Sequence, residues 1–213
     1  MLLVTSLGIA GFHQYGQKML KTLAANSTLT VRVYSEDQLT IPTLPLQNVP
    51  GWQSFQDDTR HIRPENYLYN AAKFSHKVYA QLDAFESGER YIVWLDGDIV
   101  FKKALTKNFL KKLVRGYFCA YLGRTNFYTE TGFLIFDTQH DDFPLFKKRY
   151  RKVYDERTLF SLEYWIDCLA FDESRRGLAA RNLTPDVEGL VDVFSRGPLK
   201  DICLHNKGYL KDE

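Results

Sequence analysis

Residues 91–101 read Tyr-Ile-Val-Trp-Leu-Asp-Gly-Asp-Ile-Val-Phe, and this run decides how the rest of the chain is organised. Tyr91–Leu95 is a continuous apolar stretch between charged neighbours. It lacks the alternation of a half-exposed strand, which predicts a central parallel strand covered on both faces. Asp96 and Asp98 follow, separated by Gly97, and apolar residues resume at Ile99. Two carboxylates on so apolar a background are costly unless their charge is compensated. A divalent cation such as Mg²⁺ or Mn²⁺ compensates them and leaves ligand positions for a nucleotide diphosphate. Gly97 lets the backbone bend and lets a ribose or phosphate approach closely. The triplet also reads as a strand-end turn with two solvated aspartates, because Asp-Gly is common in turns. The return of apolar residues at Ile99, Val100 and Phe101 favours the cation.

Upstream of this run, Leu2–Ser6 predicts a first strand and His13–Asn26 a helix, with Tyr15, Met19, Leu20 and Leu23 on one side. Leu29–Tyr34 is β-branched and alternating, the pattern of a second strand. Ile41–Gly51 carries three prolines and reads as a loop. Glu65–Phe85 has the clearest helical period, from Ala71 through Phe74, Val78 and Leu82, with Pro64 before it and Gly88 after. Downstream, a helix is expected over Lys107–Val114, strands over Tyr117–Leu122 and Gly132–Phe136, and helices over Phe143–Tyr154 and Glu163–Phe171. The last fifty residues look irregular. This order predicts an α/β fold in one domain over 1–213, with a nucleotide-binding half (1–101) and an acceptor-side half (102–213). Ligands of such open sheets bind beyond the carboxyl ends of the strands, which puts the site just after Leu95.

The composition narrows the partners. With 28 Lys and Arg against 26 Asp and Glu, the net charge of +2 gives no strong pull toward nucleic acid or an acidic membrane. Cys119, Cys168 and Cys203 are widely spaced with no CxxC pair, as expected of reduced thiols in a cytoplasmic protein. MLLVTSLGIAG lacks a basic leader and a long apolar run, so neither a signal peptide nor a transmembrane segment is expected.

The segment 91–101 resembles the DxD segment of glycosyltransferases with the GT-A fold, in which a Rossmann-like sheet binds a nucleotide sugar. Three further segments follow in the family's order, the set covering about half of the chain. Glu130–Asp137 is similar to the small-residue turn and apolar strand beside the donor sugar, which brings Thr131 and Gly132 to it. Trp165–Cys168 looks like the later acidic helix start that offers an aspartate, here Asp167, to the sugar or the acceptor. His205-Asn206-Lys207-Gly208 is similar to the C-terminal segment of the family-8 type. By that resemblance His205 completes the metal shell of Asp96 and Asp98, and Lys207 and Gly208 hold the diphosphate. The ending here is shorter than the family's usual H-x-x-G-x-x-K. The second acidic motif also lacks a neighbouring Gln or Asp. The resemblance implies a UDP-sugar donor and Mn²⁺ or Mg²⁺, and its H-x-K ending points to a retaining family.

Each candidate has a plainer reading. His205 alone could be a surface histidine, and Asp167 an N-cap or ion-pair partner. Glu130 is a rival base to Asp167, or an exposed loop charge. Lys73 and Lys77 share the polar side of their helix, where one of them, Lys77, could reach the donor phosphates. Thr5 and Ser6 end the first strand, where backbone contacts to a base are expected. The basic run Lys147–Lys152 reads as a solvated helix, or as the contact to a modified nucleic-acid base if that were the acceptor. A saccharide is the expected acceptor, and a lipid-linked saccharide or a protein side chain would also fit.

The sharpest competitor is a haloacid-dehalogenase-type phosphatase, in which Asp96 attacks phosphorus and Asp98 is the acid. That reading needs a late acidic pair, for which Asp141-Asp142 is the obvious doublet, and a motif that opens the domain. A sugar-nucleotide pyrophosphorylase would need a Gly-rich loop with Arg and Lys after the first strand, which LGIAGFHQYGQK does not supply. A binding module that has lost its chemistry would have no reason to keep both aspartates and His205.

Overall fold

The computed structural model describes residues 1–206. The apolar run becomes β4 (Tyr91–Leu95), and it lies inside a seven-stranded sheet of order β3-β2-β1-β4-β7-β6-β8. Its neighbours are β1 (Leu2–Ser6), which is parallel to it, and β7 (Phe127–Asp137), which is antiparallel. Along β4, Ile92 and Trp94 enter one apolar cluster with Val78, Leu82 and Phe146. Val93 and Leu95 enter another, with Met19, Leu110 and Phe133. Both faces of the strand are thus covered, and each exposes 1% or less at these four residues.

The remaining strands are β2 (Thr30–Ser35), β3 (Leu44–Pro45), β5 (Ile99–Phe101), β6 (Cys119–Arg124), β8 (Ala180–Asn182) and β9 (Cys203–His205). β1, β2 and β3 run parallel, β6 and β7 antiparallel, and β6 and β8 parallel, so the sheet is mixed. β5 and β9 form a separate antiparallel ribbon that pairs Ile99 with His205. The helices are α1 (Ile9–Gly11), α2 (Gln17–Asn26), α3 (Trp52–Thr59), α4 (Ala71–Ala84), α5 (Lys107–Val114), α6 (Phe143–Asp155) and α7 (Asp167–Arg175). A π-helical stretch, Phe12–Gly16, joins α1 to α2. Together these form one compact α/β domain.

Several boundaries differ from the sequence reading. α4 starts at Ala71 rather than Glu65, because Asn70 accepts a hydrogen bond from Lys73 N at 3.1 Å and caps the helix there. Before it, Asn66 caps a short 3₁₀ turn, Tyr67–Tyr69. The proline-rich loop contains β3, and α3 begins directly behind Gly51, whose φ of 85° suits glycine. β7 is eleven residues long and takes in Glu130 and Thr131, where the sequence predicts a turn. The C-terminal stretch is not wholly irregular: it supplies β8 and β9.

Candidate active site

A cavity of about 570 Å³ opens beyond the carboxyl ends of β1 and β4. β1 ends on Ser6 and β4 leads into Asp96, and both residues line the cavity together with Asp98, Glu130, Thr131, Asp167 and His205. Elements from both halves of the chain build this site. β4 and β7 are in register, and Asp96 N donates to Gly132 O at 2.8 Å. The pairing of β5 with β9 carries His205 to the aspartates. Asn206 N donates to Asp98 O at 3.0 Å and extends that ribbon.

The charges fall into two connected groups. Lys77, from α4, lies 2.8 Å from Asp96 Oδ1 and 2.9 Å from Asp167 Oδ2. Lys77 also donates to Thr131 Oγ1 at 3.2 Å, and Thr131 Oγ1 donates to Asp167 Oδ2. Burial pushes the Lys77 ammonium toward neutrality, but the carboxylates of Asp167 and Asp96 outweigh it and hold its pKa well above the usual lysine value. For Asp96 burial is the largest influence and raises its pKa; Lys77 opposes that rise and Asp98 adds to it. Trp94 Nε1 donates to Asp96 Oδ1 at 2.7 Å and fixes that carboxylate.

The second group surrounds Gly132. One ligand atom each of Asp96, Glu130 and His205 lie within 4.8 Å of one another, the set among the described residues suited to a metal ion. Gly132 faces the centre of this trio. A Cβ there would stand 3.0 Å from His205 Cε1, 3.2 Å from Glu130 Oε1 and 3.3 Å from Asp96 Oδ2. Glu130 is anchored by Arg124, whose Nη2 is 2.8 Å from its Oε2, and by Gly132 N, which donates to its Oε1 at 3.1 Å. Asp98 Oδ1 lies 2.9 Å from His205 Nε2. His205 Nδ1 is shielded from solvent and meets no hydrogen-bond partner. Two carboxylates and an imidazole around an open cradle, with an orphaned ring nitrogen, are a donor set suited to a divalent cation.

The structure brings Ser6, Lys77, Asp96, Gly97, Asp98, Glu130, Thr131, Asp167 and His205 to one cavity. Thr5 does not line it: the residue is fully buried in β1, because successive strand residues face opposite sides. A Cβ on Gly97 would stand 2.4 Å from Leu7 Cδ2 and 3.2 Å from Tyr15 Cε2, so packing alone requires glycine at this cavity-lining position. Glu130 is not an exposed loop charge but a buried strand residue. Asp167 is the first residue of α7 and not its N-cap, which is Ile166, and its carboxylate is an ion-pair partner. Lys207 and Gly208 lie outside the described residues.

Sequence reasoning missed Tyr15, Tyr67, Cys168 and the anchoring Arg124. Tyr67 and Cys168 lie inside segments already singled out, 65–85 and 165–168. Nothing in the sequence around Arg124 marks it. On α6, Lys147 meets Glu86 at 3.0 Å and Lys152 meets Glu156 at 3.3 Å, so these two bases of the 147–152 run are paired with acids.

No protein-family model matches the chain, and no curated protein matches it by sequence. Solved structures match by shape. The apo form of the glycosyltransferase GlyE from Streptococcus pneumoniae TIGR4 is similar with a TM-score of 0.54 and 11% identity, over 84% of this chain and 44% of GlyE. Mouse xyloside xylosyltransferase 1, apo form, gives 0.54 and 10% identity, over 85% of this chain and 84% of that one. The bifunctional glycosyltransferase WbbM gives 0.52 and 11%, over 86% of this chain and 38% of WbbM. The fold is that of the GT-A glycosyltransferases, a mixed Rossmann-like sheet flanked by helices. The chain spans less than half the length of GlyE.

Proposed function

We propose that the chain is a divalent-cation-dependent glycosyltransferase that moves a sugar from a nucleotide diphosphate sugar to an acceptor hydroxyl. The observation that carries this reading is the cradle of Asp96, Glu130 and His205 beside the Lys77 ion pairs, at the strand ends of a glycosyltransferase fold. Asp96, Asp98 and His205, with Glu130 beside them, are the residues that would hold Mn²⁺ or Mg²⁺. When bound, the cation neutralises the charge that builds on the departing diphosphate.

The protein's own groups divide the remaining work. Lys77 is kept protonated by its two carboxylates and supplies a fixed positive charge toward the diphosphate. Ser6 lies on the nucleotide side, at the end of β1. Thr131 and Gly132 flank the donor sugar. Asp167 and Glu130 were the two candidate bases, yet each is already engaged, Asp167 by Lys77 and Thr131 and Glu130 by Arg124. We therefore assign Asp167 to orienting Lys77 against the sugar. In the reaction the bond from the anomeric carbon to the diphosphate oxygen breaks, and its electron pair leaves with the nucleotide. The acceptor oxygen forms the new bond, and its proton passes to the departing diphosphate oxygen.

The 1–101 segment forms the donor half in this reading and 102–213 the acceptor side, although the cation site draws on both. UDP is the expected nucleotide, Lys207 and Gly208 are its further contacts, a saccharide is the acceptor and retention the expected outcome, all by the family-8 resemblance. The three free cysteines support a cytoplasmic setting, and no helix among the described residues is long and apolar enough to cross a membrane. The phosphatase alternative finds no support. Its late acidic pair, Asp141-Asp142, lies outside the cavity lining, and Asp142 Oδ2 instead accepts a hydrogen bond from Ala179 N at 2.7 Å.

The test is nucleotide release by purified protein from a panel of nucleotide sugars, with Mn²⁺, with EDTA and with Asp96→Ala. Cation-dependent release from one donor, lost in the variant, supports the reading. Turnover of a phosphate monoester without binding of any donor would sink it.

A further inference from the structure

We propose that the surface carrying Lys102, Lys103, Lys107, Lys111, Lys112 and Arg115 docks the protein on an anionic lipid bilayer. This goes beyond the sugar-transfer reading and does not depend on it. The net charge of +2 hides the surface, because the charge is unevenly spread. Between Asp98 and Glu130 the chain holds these six bases and Arg124, and no Asp or Glu. All six are exposed.

The helix pattern sets the face. α5 turns Leu110, Leu113 and Val114 into the core. At 100° per residue, Lys107, Lys111 and Lys112 then fall within about 140° on the solvent side. Arg181, from β8, donates to Lys112 O at 3.2 Å and to Leu113 O at 3.3 Å, which adds another base at the helix end. Among the described residues none of the six forms an ion pair, whereas Lys147, Lys152, Arg157 and Arg175 elsewhere each hold an acid. Lys111 rests 5.5 Å from the centre of the Tyr91 ring, a contact that leaves its charge uncancelled. Lys107 acts on Glu89, but the Met1 ammonium already pairs with that carboxylate. Like charges gathered in this way repel one another, and a surface of opposite sign relieves them.

Two features favour a bilayer over a nucleic acid. First, exposed apolar side chains border the bases. Leu204, 38% exposed, pairs with Val100 in the β5–β9 ribbon. The ribbon continues to Lys102, whose N donates to Ile202 O at 2.7 Å, and alternate residues put Val100 and Lys102 on one face. Tyr117, also 38% exposed, follows Arg115 at the other end. Bases bordered by an aliphatic and a phenolic side chain suit the headgroup layer. Second, five of the six bases are lysines. Their compact charges suit a mobile array of lipid phosphates, whereas nucleic-acid recognition draws on the arginine fork.

The experiment is co-sedimentation of the full-length protein with phosphatidylcholine vesicles, pure or with one quarter phosphatidylserine. The wild type should pellet with the anionic vesicles alone, and about 0.5 M NaCl should release it. Lys107→Gln, Lys111→Gln and Lys112→Gln together should weaken binding about 100-fold, near fivefold per charge. Lys102→Gln with Lys103→Gln, outside the helix, should cost about 25-fold and serves should the first set unfold, as melting curves would show. Arginine at the three helix positions (Lys107→Arg, Lys111→Arg, Lys112→Arg) should bind as wild type. Lys147→Gln, Lys148→Gln and Lys152→Gln together make the same change in net charge and should cost less than about threefold. Equal losses in the two triple Gln sets overturn the assignment, as does wild-type binding to pure phosphatidylcholine. Wild-type protein that ignores both vesicles overturns it too, and retention of a DNA duplex that the first Gln set releases would then move the surface to nucleic acid.

Discussion

Replacing Gly132 by alanine should separate cation binding from folding. Ordinary contact for a Cβ begins near 3.4 Å, and the new methyl would fall short of that by about 0.4 Å against His205 Cε1, 0.2 Å against Glu130 and 0.1 Å against Asp96. These overlaps are relieved by outward shifts of three side chains, and outward is the wrong direction for three ligands that converge on one ion. The methyl also fills the volume the cation would take. A loss of about 100-fold in Mn²⁺ affinity is expected, near 2.7 kcal/mol. The fold should suffer little. Gly132 is not among the positive-φ residues, and its backbone bonds to Asp96 and Glu130 survive the change. The chain-entropy gain from Gly to Ala, about 0.4–1 kcal/mol, offsets mild crowding. In EDTA the melting temperature should therefore move by no more than about 4 °C. Calorimetric titration with MnCl₂ beside melting curves in EDTA checks both halves. An alanine variant that binds Mn²⁺ within threefold of wild type would refute the cradle as the cation's seat.

Three other outcomes follow from the charges. Lys77→Met leaves the buried Asp167 and the partly exposed Asp96 without their shared cation, at a cost of about 3 kcal/mol in EDTA; melting curves check this, and an unchanged midpoint would contradict the ion-pair geometry. Arg124→Met strands Glu130 in the same way, and added Mn²⁺ should restore more stability to this variant than to wild type, read as the difference in melting shift. His76, largely buried against Trp52, has its pKa lowered to about 4 from 6.5, chiefly by burial. A depressed folded pKa means stability that is present above pH 6.5 and lost as the pH falls toward 4, up to about 3 kcal/mol. In His76→Gln the fall of unfolding free energy between pH 7 and pH 4, measured by urea titration, should be smaller by about that amount, and parallel curves would rule the effect out.

What was legible in the sequence follows the strength of local patterns. β4 could be read because burial on both faces leaves an unbroken apolar run, and α5 because its apolar residues recur at helical spacing between clear stops. Asp96 and Asp98 stood out because acids at the end of such a run are expensive. α3 was lost although Trp52, Phe55, Gln56 and Thr59 fall on one buried face, because the prolines before it suggested continued loop. The first part of β7 was lost because Glu, Thr and Gly carry turn character, and what keeps them extended is pairing with β6 and the buried Arg124. That pairing is tertiary and leaves no local trace. The same holds for the partition of roles in the site. The sequence assigns Asp96, Asp98 and His205 to the metal and Glu130 to catalysis or to a loop, and only distance shows Glu130 converging with Asp96 and His205.

The β5–β9 ribbon has a consequence for synthesis. Strand β5 lies beside the aspartates in sequence, but its partner emerges about 100 residues later, roughly 5–20 s at ordinary rates of translation. During that interval the sheet through β7 can form while the histidine is still missing, and Lys77 is the cation available to the exposed acids. The acids of β4 and β7 can therefore be in place before the ribbon brings His205 to them.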